Sequence, residues 1–239
     1  MMTTEKQDYE RPIVTVDAVV LALRDQKLHV LLAKRKEDSP YAPGRWSLPG
    51  GFIHTDEDRS DEDAVRRVLE VKAGASARHV EQLQTFASAS RDSRGWSVSI
   101  SYLAIVDTLI EDEDSVRYFP VDNMPDLPFD HNKIVEVAME RVRNKAAYSS
   151  LPTFFLPKTF TLPQMQSVYE IVLGQKLNTP AFRRKVMEQG LVEEVGYDNS
   201  EDREPQKGRP AAMYTLANIN LQNLGRTVMT PDTRRGGPR

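Results

Sequence analysis

Leu48-Pro49-Gly50-Gly51-Phe52 places a proline and two glycines inside a short apolar strand that runs from Trp46 to Ile53. Such a strand cannot complete a hydrogen-bonded ladder, and its bare backbone lets another group approach closely. An acidic loop, residues 55–58, follows. Residues 61–73 then have the pattern of an amphipathic helix, and Gly74 is a suitable residue to end it. Read locally, this is no more than a Gly-Gly turn followed by a helix.

The elements on either side are those of a mixed α/β domain. Residues 13–23 (IVTVDAVVLAL) and 28–33 (LHVLLA) are β-branched and apolar, and the turn-like Arg24-Asp25-Gln26-Lys27 between them makes a hairpin of core strands. Further strands are expected at 80–86 and 97–106. The acid run 111–114 reads as a solvated turn. A second helix is expected from Lys133 to about Ala147, with Ile134, Val137, Ala138 and Val142 on its buried face.

With those neighbours in place, the 48–74 stretch resembles the Nudix signature G-x5-E-x7-R-E-U-x-E-E-x-G-U, where U is bulky and apolar. The resemblance implies a helix whose glutamates hold divalent metal, which takes oxygen ligands, so that the metal polarises a diphosphate. Anchored at Gly74, the family arginine falls on Arg67 and the glutamates on Val68, Val71 and Lys72. Those three positions share a helical face. Neither valine can ligate metal, and the lysine would repel it. The loop glutamate falls on Glu57 counting forward and on Arg59 counting back. We therefore expect no catalytic residue and no metal site. The alternative is an active Nudix hydrolase of ADP-ribose or another nucleoside diphosphate derivative, using Asp56, Glu57 or Asp58.

A pocket can outlive its metal. Arg91-Asp92-Ser93-Arg94-Gly95-Trp96-Ser97 resembles a segment of the Nudix branch that handles ADP-ribose and related nucleotides, with arginines suited to phosphate and an indole suited to a base. The same residues also make a competent β-turn, with Trp96 in the core. The effector-binding candidates are Arg35, Gly50, Gly51, Phe52, Arg91, Arg94 and Trp96. No cofactor is required in this reading. The effector is ADP-ribose or another adenine or pyridine nucleotide.

After Ser149-Ser150-Leu151-Pro152, which reads as a linker, the order is helix (162–173), turn, helix (180–189), strand (191–195), long polar loop and strand (211–216). That order matches a winged helix-turn-helix. Thr179 is expected to cap the second helix with Pro180 at its first helical position, and Phe182, Val186 and Met187 form its buried side. Residues 176–185 hold four bases and no acid. Asparagine can read an adenine edge and arginine a guanine edge. The DNA-binding candidates are Lys176, Asn178, Thr179, Arg183, Arg184 and Lys185 on the helix, with Lys207 and Arg209 on the wing. Asp198, Glu201, Asp202 and Glu204 in the wing are expected to face away from DNA. The rival reading is a helical dimerisation or protein-binding domain.

Charge agrees with a division of labour. Residues 1–150 carry 20 Lys and Arg against 26 Asp and Glu, whereas 151–239 carry 12 against 9, so the excess is −6 in the first part and +3 in the second. There are no cysteines, which removes disulfides and thiolate zinc sites and fits a reducing compartment; a cytoplasmic protein is expected. No apolar run is long enough to span a bilayer.

The whole chain resembles the NrtR family, the Nudix-related transcriptional regulators of NAD metabolism, most clearly at 91–98, at 160–173 with 176–184, and at 208–214. The expected fold is an α/β Nudix-like sandwich domain followed by a C-terminal winged helix-turn-helix domain. Its parts are an arm (1–12), an effector-binding domain (13–150), a winged helix (151–218) and a tail (219–239) expected to be disordered. The resemblance implies a homodimer on a double-stranded DNA operator, repressing NAD biosynthesis or salvage genes and released by a nucleotide effector.

Overall fold

The computed structural model describes residues 11–74, 76–106, 109–197 and 211–225. Its first part runs β1 (Ile13–Arg24), β2 (Lys27–Lys34), β3 (Trp46–Ser47), β4 (Gly50–Phe52), α1 (Asp61–Val68), β5 (His79–Ser88), β6 (Ser97–Ile105), β7 (Val116–Pro120) and α2 (His131–Ala146). The second part runs α3 (Leu162–Leu173), α4 (Thr179–Glu188), β8 (Val192–Tyr197) and β9 (Ala212–Leu216).

β1 is apolar without interruption because it is central. It pairs antiparallel with β2 at one end and with β4 at the other, while β6 lies parallel along its other edge from Ile13↔Ser97 to Leu21↔Ile105. A strand covered on both faces needs no polar alternation. Ala18, Val20 and Ala22 face a core closed by Val65 and Leu69. Val19 and Leu21 face the opposite core, closed by Ile134, Ala138 and Val142 of α2. The result is a sheet sandwiched between helices. Asp25 and Gln26 both take positive φ (49° and 58°), the two-residue turn that matches strand twist in a hairpin.

The helix expected at 61–73 is α-helical only to Val68 and continues as a π turn, Leu69–Ala73, before Gly74 stops it at φ 56°. Nor is the acid run merely solvated. Asp112 accepts from Arg24 Nη1 (2.9 Å) and from the Tyr118 N–H (3.0 Å), fastening the loop to the sheet.

Residues 149–155 are buried rather than exposed as a linker would be. Leu151–Phe155 forms a 3-10 turn whose Leu151, Phe154 and Phe155 enter the same core as Val19, Tyr169 and Phe182. The Ser-Ser-Leu-Pro composition reads as a connection, but the two phenylalanines after it drive the segment inward. Tyr169 Oη donates to the Ser149 carbonyl (3.2 Å), Arg78 Nη1 to that of Leu156 (2.6 Å), and His79 stacks on Phe154 at 4.7 Å.

The tail expectation changes at its start. The Ser150 N–H donates to the Gln222 carbonyl (2.9 Å), the Leu224 N–H donates to that of Tyr148 (2.7 Å), and Leu224 is 4% exposed. This return strand of contacts closes over the junction. Residues 226–239 and the arm up to residue 10 lie outside the described residues.

Candidate functional site

β1 pairs with β2 through Leu21–Arg24 and with β4 only through Thr15–Asp17. A cavity of about 770 Å³ opens beside this split, over Thr15 and Asp17. Its walls come from the end of β2, from β4, from the π turn, from the 91–94 loop and from the segment leading into α2. Arg35, Gly50, Gly51, Phe52, Arg91 and Arg94 all line it, so expectations from three separate stretches of the sequence converge. Trp96 does not. The residue is 50% exposed, neither in the cavity nor in the core, and its carbonyl accepts the Ile13 N–H (3.0 Å), the contact that begins the β1 and β6 alignment.

The cavity's arginines are held in different ways. Arg91 is buried and donates through Nε and Nη2 to both oxygens of Asp130 (2.9 Å each) and through Nη1 to Ser97 Oγ (3.2 Å). Arg94 is forked onto Asp92 and its guanidinium lies over Phe52 (4.9 Å), Tyr41 (5.4 Å) and Phe129 (5.8 Å). Arg35 donates to the Tyr41 carbonyl and Ser39 Oγ (2.9 Å each) and sits 5.3 Å over Phe129. Burial, with Arg94 second, pushes Arg35 below its ordinary value. An anion would relieve that.

Sequence reasoning did not select Asp17, Lys72, Phe129 or His131, all of which line the cavity. Asp17 was the visible signal, an acid in the middle of an apolar strand. It accepts from Ser99 Oγ (2.6 Å) and lies 3.7 Å from Arg91 and 3.6 Å from His131 Nε2. His131 Nδ1 accepts the Leu48 N–H (3.0 Å), which fixes its proton on Nε2, toward Asp17. Burial lowers the basicity of that ring, partly countered by Asp17. Phe129 takes φ 60°, a strained conformation for a bulky residue. A Cβ on Gly50 would lie 1.9 Å from Asp17 Oδ1, so this glycine is required by close approach.

The residues of the helix do not fit a divalent metal. Val68 packs into a small core with Val16 and Ala64, Val71 is 74% exposed, and the Lys72 ammonium donates to the Gly50 carbonyl. Two of the three loop acids are committed elsewhere. Asp58 accepts from Arg67 Nε (2.8 Å) and Nη2 (2.6 Å), and Glu57 lies 3.0 Å from His54 Nδ1. Hydrogen bonds from Arg67, against burial, hold the Asp58 carboxyl at about 2. Among the described residues no group of three His, Cys, Asp or Glu is arranged to hold a metal.

In the second part, Thr161 and Gln164 form a capping box at the start of α3, and Gly174 ends it at φ 68°. The cap of α4 is Asn178 rather than Thr179: Asn178 Oδ1 accepts the Ala181 N–H (3.0 Å), which shifts the helix start by one residue. The Thr179 hydroxyl accepts instead from Gln166 Nε2 (3.1 Å). Phe182 meets Tyr169 edge-on at 5.5 Å and, with Val186, buries the helix; Met187, one step around, is 49% exposed. Arg183 and Arg184 are exposed and Lys185 half-buried. Lys176 pairs with Glu170 (2.6 Å). β8 and β9 pair antiparallel, and Tyr214 bonds both ways to Phe160, ahead of α3 (2.8 and 2.9 Å). Lys207, Arg209 and the four wing acids lie outside the described residues.

These two parts define a Nudix fold joined to a winged helix. The NUDIX domain family model matches residues 14–138, and the model described as the NrtR DNA-binding winged helix domain matches 152–216. The chain belongs to the NrtR family. It is 33% identical over 220 residues, 89% of this chain and 85% of the other, to the ADPR responsive transcriptional repressor NtrR of Acinetobacter baylyi. It resembles the crystal structure of Shewanella oneidensis NrtR complexed with a 27mer DNA (38% identity, TM-score 0.71, 85% of this chain and 93% of that one). The same protein's NUDIX domain has been solved with ADP ribose (38% identity, TM-score 0.51, 57% and 92%). An ADP-ribose pyrophosphatase of Methanocaldococcus jannaschii is 34% identical over 134 residues, 54% of this chain and 73% of that protein. Among the described residues no helix is long and apolar enough to cross a membrane.

Proposed function

We propose that this protein is a transcriptional repressor of NAD biosynthesis or salvage genes that binds ADP-ribose or a related nucleotide in its Nudix cavity and does not hydrolyse it. The observation that carries the reading is a cavity lined by arginines and aromatic rings and built against a helix whose side chains fit no metal. Arg35 and Arg94 serve the ligand's phosphates, while Phe52 and Phe129 offer faces for its rings. Arg91, committed to Asp130, acts as a positioning residue. Arg183, Arg184, Lys185 and the capped start of α4 serve DNA, with Lys207 and Arg209 on the wing. Two copies bind a palindromic operator. For the nucleotide to release DNA it must favour the arrangement that does not bind, because equal affinity for both would shift nothing.

Footprinting on the DNA upstream of the protein's own gene, with and without ADP-ribose, NAD or ATP, tests this. Protection that a nucleotide removes supports it, and protection indifferent to all three refutes the sensor. For the hydrolase alternative, turnover of ADP-ribose with Mg²⁺ or Mn²⁺ that is lost on mutating Asp56, Glu57 or Asp58 would decide in its favour.

A further inference from the structure

Of the cations that line the cavity, Arg91 and Arg94 are neutralised by Asp130 and Asp92, and Lys34 by Glu37. Arg35, Lys36 and Lys72 have no carboxylate within ion-pair distance among the described residues. Lys72 differs from the other two in where its charge is held. It rises from the π turn, donates to the Gly50 carbonyl, and its Nζ lies 3.5 Å from where a Cβ on Gly51 would stand. Val68 reaches the same glycine from the preceding turn, at 3.8 Å. The ammonium is therefore fixed between the helix and the glycine pair, on the helical face where carboxylates would have to converge to present a metal to a ligand.

We propose that Lys72 replaces the divalent cation, its ammonium being the built-in countercharge for the diphosphate of the bound nucleotide, so that this cavity recognises its ligand without metal. The proposal rests on the nucleotide-binding reading above and adds the source of the countercharge. A metal held by glutamates brings positive charge to the phosphates through carboxylates that are themselves anionic. Removing the carboxylates and supplying an amine gives the phosphates a net cation directly, and leaves no metal to ionise an attacking water. The surroundings agree. Desolvation by the neighbouring groups, and after it the charge of Arg35, presses the Lys72 ammonium below its ordinary value, and the charge of an arriving dianion would oppose that shift. The amine also has donors to spare, since an ammonium carries three and the Gly50 carbonyl uses one.

A purely structural lysine, strapping the helix to β4 through Gly50, would have the same contact. The test separates charge from strap by calorimetric titration of ADP-ribose, and failing that NAD or ATP, into the full chain, in EDTA and in Mg²⁺. Wild type is expected to bind with the same affinity in both. Lys72→Gln, which keeps an N–H donor for the strap and loses the charge, is expected to bind about ten- to a hundredfold more weakly, the range of a hydrogen bond to a charged group. Its affinity should also depend less on salt. Lys72→Arg should stay close to wild type. If Lys72→Gln does not fold, Lys72→Met carries the same expectation through its aliphatic stem. Wild-type binding that requires Mg²⁺, or Lys72→Gln binding as tightly as wild type, overturns the proposal and leaves the nucleotide cavity standing. Wild type that binds none of ADP-ribose, NAD and ATP in either buffer removes the nucleotide reading itself, and the proposal with it.

Discussion

Arg91 and Asp130 meet through two parallel hydrogen bonds of 2.9 Å, joining the loop after β5 to the residue that precedes α2. The Arg91 side chain is only 5% exposed. Removing Asp130 leaves the buried guanidinium only the more distant Asp17, at 3.7 Å, as a countercharge. Asp130→Ala is expected to cost about 3–5 kcal/mol in denaturant unfolding and to abolish nucleotide binding. A loss well under 1 kcal/mol would mean that Arg91 reaches solvent and is no positioning residue.

The glycine pair should answer differently at its two members. An alanine at 50 would place Cβ 1.9 Å from Asp17 Oδ1 and 2.9 Å from the Val16 carbonyl, whereas at 51 the nearest atom is 3.5 Å away. Gly50→Ala should destabilise the protein by about 1–3 kcal/mol, as overpacking does, while Gly51→Ala should fold normally. Thermal melts of both variants check this, and equal melting temperatures would contradict the close approach.

The two parts of the chain should unfold together. Tyr169, Phe160 and Phe182 share one buried cluster with Val19, Leu103 and Ile134, and the 149–155 segment lies within it. Urea unfolding followed by tryptophan fluorescence and by circular dichroism should give coincident single transitions. Tyr169→Phe, which removes the bond to Ser149, should lower stability by about 0.5–1.5 kcal/mol without splitting the transition.

Acid should weaken the fold in two stages. His131 is held neutral by burial, so its folded-state value lies below the ordinary 6.5. Below that pH the unfolded chain takes up a proton that the folded chain refuses, and stability falls as pH falls. Glu81 resists burial through hydrogen bonds from His79 and Lys145 and is held at about 2, against an ordinary 4.5. Its contribution is complete above 4.5 and is lost between there and about 2. Urea midpoints measured against pH should show both limbs. His131→Gln should flatten the upper one and Glu81→Gln the lower.

On DNA, Arg183→Ala with Arg184→Ala should lose binding and reduce its salt dependence, with ADP-ribose affinity unchanged. Asn178→Ala should cost about 1 kcal/mol of stability, because its side chain caps α4. Unaltered DNA retention in the arginine double variant would favour the protein-binding alternative.

Much of this was legible in the sequence where one local cause decides. Gly74 and Gly174 end their helices, the apolar run 13–23 is a central strand, and Pro180 lies in the first turn of α4. The convergence of Arg35, Gly50, Phe52 and Arg94 followed from chemistry suited to one ligand. What the sequence hid depends on distant pairing. His131 meets Asp17 only because β1, β4 and the start of α2 are brought together by the sheet. Trp96 looked like a stacking surface, but the parallel alignment of β1 on β6 uses its backbone and turns the indole to solvent. The π turn shows no signature in composition, yet it carries Lys72 to Gly50.

Recognition without hydrolysis is coupled, in this proposal, to release of DNA. It is tested most directly by adding ADP-ribose with Mg²⁺ to the full-length protein held on fluorescent operator DNA, following anisotropy, and then recovering the nucleotide for chromatography. A saturable fall in anisotropy is expected, with the ADP-ribose recovered intact. Conversion of the ADP-ribose to nucleoside monophosphate, or saturation of the cavity with no change in anisotropy, would contradict it.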